Sequence, residues 1–367
     1  MPEKDYAISF QYSLASLKLS IVHTLLSTIV FVCWVWFGLA MWQDFVIEES
    51  GIGFIIFVLG FVLVSSLISL PLDAYKQLML DKKYGFSNVS FGIFLADTLK
   101  SLLLTTVFGF LILWVLLWVM EYPYWWLAGF GIMFCFVLLV NMLYPTLIAP
   151  IFNTFTPLND ENLKVRIQDL MQRAGFSANG IFVMDASRRD GRLNAYFGGL
   201  GSSKRVVLFD TLLDKVSSEG LLTILAHELG HFKHKDVLFN LFISGILLFV
   251  MFFIAGNMPS SVFEFLGLKE NAATCLVVLL LIAPVVMFWV MPIIGYFSRK
   301  AEYRADFYGA SLTSARCLRE ALIRLVNENK TFPYAHPVYI FFHYTHPPLL
   351  ERLYALERLN KEQLNKQ

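Results

Sequence analysis

The sequence predicts a polytopic α-helical membrane protein that carries a small α+β domain on one face. Three observations lead there. Hydrophobic residues make up 57% of the 367, against 16% charged, which is more apolar surface than a water-soluble fold of this size can bury. Six apolar stretches reach the length of about 20 helical residues that crosses a bilayer. The charge is segregated: apart from Lys4, Lys18, Lys76, Lys82, Lys83, Lys100 and Lys269, all of the 29 Lys and Arg lie in residues 159–236 and 299–367. Mean hydropathy is +0.62, which excludes a disordered chain, and four Cys in this length are too few for a disulfide-stapled scaffold. Cys33, Cys135 and Cys275 sit in apolar runs and Cys317 in a polar one. A net charge of +1 implies no general attraction to nucleic acid.

The spans are read at 19–43, 52–71, 101–120, 124–144, 237–257 and 275–297. The first is too long for a signal peptide and no small-residue cleavage site follows it, so it is read as retained. Connections 44–51 and 121–123 have no Lys or Arg and 258–274 has one, whereas 72–90 and both polar blocks are basic. The basic segments therefore share one side, the cytosol, with both termini inside. Five polar residues fall within or at the mouths of spans: His23, Asp73, Asp97, Lys100 and Asn141. They read as snorkelling or paired groups, Asp97 with Lys100 on one helix face, or as the lining of a watery cavity.

The resulting division is a polar connector (1–17), four spans (18–144), a polar segment (145–236), two spans (237–297) and a C-terminal polar segment (298–367). In the first polar segment, 159–174 reads as an amphipathic helix opened by acidic residues and stopped by Gly175. Ile181–Met184 and Arg205–Phe209 read as strands, with a Gly-rich turn at 198–201 between them. A helix from about Ser218 to Lys235 leads into span five. Ser298–Thr313, Ala315–Asn329 and 349–366 complete the helices.

The chemistry resides in His227-Glu228-Leu229-Gly230-His231. On a helix, residues i and i+4 share a face, so two imidazoles can meet one metal ion. Zn²⁺ suits two His and a carboxylate with water in the fourth position, and Glu228 can act on that water as general base. Glu302 and Asp306, also i and i+4, follow span six. The hairpin of spans five and six brings them beside the first helix. Glu302 then supplies the third ligand, while Asp306 orients a ligating His or shuttles a proton. His234 competes as a ligand but is flanked by Lys233 and Lys235, as a surface residue is.

From about residue 60 to 355 the chain resembles the CAAX prenyl protease 1 family of integral-membrane zinc metallopeptidases. The resemblance rests on Tyr84-Gly85-Phe86, Pro150-Ile151-Phe152-Asn153, Phe155-Thr156-Pro157-Leu158, Asn194-Ala195-Tyr196-Phe197, Phe209-Asp210-Thr211-Leu212, Glu302 with Arg304-Ala305-Asp306, and His346-Pro347-Pro348 followed by Arg352. It implies a zincin-like catalytic domain, one zinc on His227, His231 and Glu302, Glu228 as base and Asp306 as second acid or orienting group. It further implies His346 and Arg352 at the oxyanion, and Asn194, Ala195 and Tyr196 on an edge strand that pairs with substrate backbone. The partners implied are the lipid bilayer and a peptide or protein substrate, prenylated at a C-terminal Cys in the CAAX reading. The family has seven spans and this sequence six, residues 1–17 resembling the connector after the first. Without a dilysine-type tail or the long insertions of eukaryotic relatives, it is compatible with a bacterial homologue, hence with a bacterial inner membrane or an endoplasmic reticulum membrane. The rival readings are a membrane quality-control protease, a transporter or channel with an incidental His-Glu-x-x-His, and a metal-free scaffold; stoichiometric zinc separates the enzymes from the last two.

Overall fold

The protein was analysed as a computed structural model, which describes residues 3–46, 51–199 and 204–364. Six helices among the described residues are long and apolar enough to cross a membrane: Asp5–Val46, Gly51–Lys83, Phe91–Val119, Trp125–Phe152, Asp236–Gly256 and Ala272–Leu312. Each covers one of the expected spans to within one residue at its ends. In the first, helix begins at Glu3 and runs without interruption to Cys33, so the polar residues 3–17 are helical and continuous with span one. The last is longer than expected for a related reason. Nothing between Phe297 and Ser298 breaks a helix, so span six runs on out of the apolar region as one helix to Leu312.

The soluble part is a four-stranded sheet with helices against it. The strands are β1 (Phe155–Pro157), β2 (Ile181–Met184), β3 (Ala195–Gly198) and β4 (Arg205–Phe209), in the order β1-β2-β4-β3. Only the β2–β4 pair is parallel. β3 is therefore an edge strand. Of the Gly-rich turn, Gly198 and Gly199 are described; Leu200 and Gly201 lie outside the described residues.

Helix Glu161–Arg173 starts at Asp160, whose carboxylate accepts the Leu163 N–H at 3.0 Å, and Gly175 at φ +68° follows its end. Leu163, Ile167, Leu170 and Met171 form its buried stripe. That stripe shares one core with Val206 and Leu208 of β4 and with Leu221, Leu225 and Leu229 of helix Ser218–Lys233. The i, i+4, i+8 spacing of those three leucines fixes the rotation of the second helix. His227 and His231 consequently face away from the core, toward the long helix Ala272–Leu312.

These two helices approach to backbone contact. A Cβ on Gly230 would lie 2.7 Å from Ala305 Cα, and one on Gly309 would lie 2.9 Å from the His227 backbone nitrogen. No larger residue fits at either position without separating the helices. The membrane and soluble parts are tied as well. The Gly191 N–H donates to Phe86 C=O at 2.7 Å, the Asn88 N–H to Arg189 C=O at 3.2 Å, and Arg189 Nε is 2.7 Å from Asp97 Oδ2. Asp97 thus answers Arg189. Lys100 is 3.9 Å from Asp97 and donates instead to Ile151 C=O at 2.9 Å.

Overpacking a close helix contact costs about 1–3 kcal/mol. Gly309→Val is expected to lower the thermal midpoint in detergent and to reduce bound metal, because the helix it displaces carries Glu302. Unchanged unfolding and metal content would show that the helices can separate freely.

Candidate active site

Helix Ser218–Lys233 presents His227 and His231, and helix Ala272–Leu312 presents Glu302 and Asp306 one turn apart. His227 Nε2 is 3.5 Å from Glu302 Oε2, and His231 Nε2 is 3.4 Å from Glu302 Oε1. His227, His231 and Glu302 form the one group of three metal-ligating side chains found among the described residues, their donor atoms all within 4.8 Å of one another. Ligand atoms about 2.0–2.1 Å from a tetrahedral zinc lie about 3.3–3.4 Å apart, so the spacing suits that ion. Glu302 Oε2 supports the same fit: it is buried and accepts no hydrogen bond, although Arg352 Nη1 is 3.2 Å away.

The other ring nitrogens face carboxylates. His227 Nδ1 is 2.9 Å from Asp306 Oδ1, and His231 Nδ1 is 2.9 Å from Asp236 Oδ2. With the proton held on Nδ1, each Nε2 lone pair is free for a metal. Asp236 escaped the sequence reading. It lies five residues beyond His231, where it opens span five, and its partner could not be inferred from that position. Lys235 explains its approach: in the left-handed region at φ +58°, it links helix Ser218–Lys233 to span five and turns Asp236 back under His231. Arg304 Nη2 holds the far side of Asp236 at 2.7 Å. Glu228, Asp236, Glu302 and Asp306 face Arg304 and Arg352.

Arg352 is near the donors, as expected, but its fork is committed. Nε and Nη2 reach Asp306 at 2.8 and 2.6 Å. His346 is placed differently. Its Nε2 is 3.2 Å from Glu302 Oε1 while two thirds of its side chain is exposed. Together with Glu228 and His231 it lines a cavity of about 790 Å³ that reaches Val237 and Phe239 of span five and Phe297 of span six. Burial pushes the Glu228 carboxyl above the ordinary carboxylate range; Glu302 reinforces the shift, and His227, His231 and Arg352 oppose it. A carboxylate so tuned binds a proton more readily at neutral pH than an exposed one does. His234 is exposed, with its ring near Tyr308, and lies outside the group.

Asn194, Ala195 and Tyr196 lie at the edge of the sheet. The Phe209 N–H donates to Asn194 C=O, and Ala195 and Tyr196 stand opposite Leu208 and Val207. The cavity wall, however, is made by the next residues, Phe197, Gly198 and Gly199.

Comparison with known proteins gives a consistent result over the whole chain. Residues 157–360 match peptidase family M48, and residues 1–154 match the CAAX prenyl protease N-terminal region, described as five membrane helices. Four of the six candidate spans fall in that N-terminal region. The CAAX prenyl protease 1 homolog of Taenia solium is 32% identical over 329 residues, covering 80% of this chain and 70% of the relative. CAAX prenyl protease 1 of Saccharomyces cerevisiae is also 32% identical, with 82% and 71% covered. The crystal structure of S. mikatae Ste24p superposes with a TM-score of 0.87 at 30% identity, covering 97% of this chain and 89% of that one.

Outer carboxylates of metal-bound imidazoles typically contribute 10- to 100-fold in metal affinity. Asp236→Ala is therefore expected to weaken zinc binding by about that factor in chelator competition. Affinity equal to that of the unaltered protein would remove Asp236 from the site.

Proposed function

The chain belongs to peptidase family M48 and is a membrane zinc metalloprotease of the CAAX type; from that premise we propose how its own residues share the work. His227 Nε2, His231 Nε2 and Glu302 would hold one zinc ion per chain. The observation that carries this reading is the meeting of the three donor groups beside a cavity that His231, Glu302 and Glu228 line. A zinc ion in that position supplies Lewis acidity toward water and toward a substrate carbonyl.

Glu228 accepts the proton of the attacking water and returns it to the departing amine, which balances the hydrolysis with no other proton donor. His346 is the exposed donor beside the zinc ligands, so it hydrogen-bonds the carbonyl oxygen as negative charge develops there. Arg352 and Asp306 act behind the ligands: Asp306 orients His227, and Arg352 holds Asp306 and faces Glu302. Of the two residues expected at the oxyanion, His346 is the one proposed as its hydrogen-bond donor, because the Arg352 guanidinium bonds to Asp306. The outward edge of β3 receives the substrate backbone as an added strand.

The relatives are named for prenyl proteolysis, and the substrate class proposed for this chain is the same: a peptide or protein prenylated at a C-terminal Cys. The cavity's extension along spans five and six suits such a lipidated chain. Both polar segments face the cytosol, as the basic residues require. The membrane is a bacterial inner membrane or the endoplasmic reticulum.

Glu228→Gln is expected to retain zinc and lose about 10²–10⁴-fold in turnover. Near-normal hydrolysis by folded protein would remove Glu228 as the base. A farnesylated peptide should be cleaved faster than its unprenylated twin; equal rates would favour a general membrane quality-control protease. A Cys placed at Asp190 should label from the cytosolic side of sealed vesicles, and labelling from the other side alone would reverse the topology.

A further inference from the structure

We infer that Asn329 ends the groove for the substrate strand and thereby limits how far a substrate extends past the edge of β3. The inference rests on the reading of β3 as the strand that pairs with substrate.

In an antiparallel pair, alternate residues turn their N–H and C=O toward the partner strand and the others turn theirs away. The Phe209 N–H donates to Asn194 C=O, so the even positions 194, 196 and 198 face β4. Arg192 C=O fits the same alternation, since it accepts from Thr211 Oγ1 at 2.9 Å just beyond β4. Leu193, Ala195 and Phe197 therefore present their backbone groups to the outer edge, where an added strand would bind.

That edge is already closed at one end. The Leu193 N–H donates to Asn329 Oδ1 at 2.8 Å, and Asn329 Nδ2 donates to Leu193 C=O at 3.2 Å. The Asn329 carboxamide bonds both groups of one residue, as a residue of an added strand would. At the next outward position the Ala195 N–H donates to Asn194 Oδ1 at 2.9 Å. The next outward groups are Ala195 C=O and the backbone of Phe197, a residue that lines the cavity. A peptide laid along β3 must turn away or stop before Leu193.

Asn329 is rigidly placed. Helix Ala315–Glu328 ends with the Thr331 N–H on Val326 C=O at 3.0 Å and the Lys330 N–H on Asn327 C=O at 3.3 Å, a Schellman arrangement with Asn329 at the cap. Lys330 occupies the left-handed position at φ +44°, where Gly is usual. Its ammonium donates to Tyr84 C=O and lies 5.1 Å from the Phe86 ring centre. The side chain of Lys330 thereby fixes the turn that aims Asn329.

The test uses full-length protein and farnesylated peptides lengthened one residue at a time on either side of the scissile bond. For the unaltered enzyme, kcat/KM should fall sharply beyond a set length on one side. Asn329→Ala should relieve that limit at least about tenfold for the longer peptides while short ones change little. Asn329→Ser, which keeps one hydrogen-bonding group, serves if the first variant does not fold. A merely structural role would lower activity on all lengths alike. The inference fails if the length profile is flat in the unaltered enzyme or identical in the variants. Peptides N-methylated at single positions separate the two readings. A KM rise at alternate positions with an unmoved length profile sinks the cap alone; no alternation sinks the strand reading and the cap with it.

Discussion

The contact on which the site depends is the backbone approach of helix Ser218–Lys233 to helix Ala272–Leu312. Gly230 admits Ala305, and Gly309 admits the backbone at His227. The two contacts are reciprocal, each helix providing one glycine. They set the separation at which a short carboxylate side chain on one helix reaches two imidazoles on the other. The leucine stripe that seats the first helix against the sheet sets its rotation, and the glycines set its distance. With rotation and distance both determined, the ligand geometry has little freedom left.

Charge is the second constraint. The carboxylates, imidazoles and guanidinium here are taken out of water, and an uncompensated ion in that position would cost several kcal/mol. The solution is a closed set of partners. Asp306 is shared by His227 and Arg352, Asp236 by His231 and Arg304, and Glu302 by both ligand imidazoles. Such a set turns Nδ1 of each imidazole toward an outer carboxylate and Nε2 toward Glu302. His346 reaches the same set through Glu302 at 3.2 Å, but most of its side chain is exposed and it lines the cavity.

The membrane spans do more than anchor the catalytic part. The loop after span two is bonded to residues 189–191, and Arg189 is paired with Asp97 of span three. Those residues lead directly into Leu193 and β3. Helix Ala315–Glu328, continuing the chain beyond span six, returns to the same place through Asn329. The edge strand is thus held from the membrane side and from the C-terminal side at once. The position of this edge strand is therefore tied to the spans themselves.

The sequence by itself determined whatever depends on local periodicity and solvent preference. Six apolar lengths specified six spans, the basic residues gave an expected sidedness, and i, i+4 spacing paired His227 with His231 and Glu302 with Asp306. Strands β2 and β4 were legible because they are runs of β-branched and apolar residues. The polar residues 3–17 are helical all the same, because backbone hydrogen bonds carry a helix regardless of whether its side chains face lipid. Only the tertiary structure decided which side chains meet across long separations. Asp236 becomes a partner of His231 through one left-handed residue, and Arg352 turns to Asp306 instead of the cavity. Asn329 finds Leu193 from 136 residues away. No periodicity encodes these meetings, because each depends on how two separately formed elements pack, and packing distance here is set by the absence of a side chain at Gly230 and Gly309.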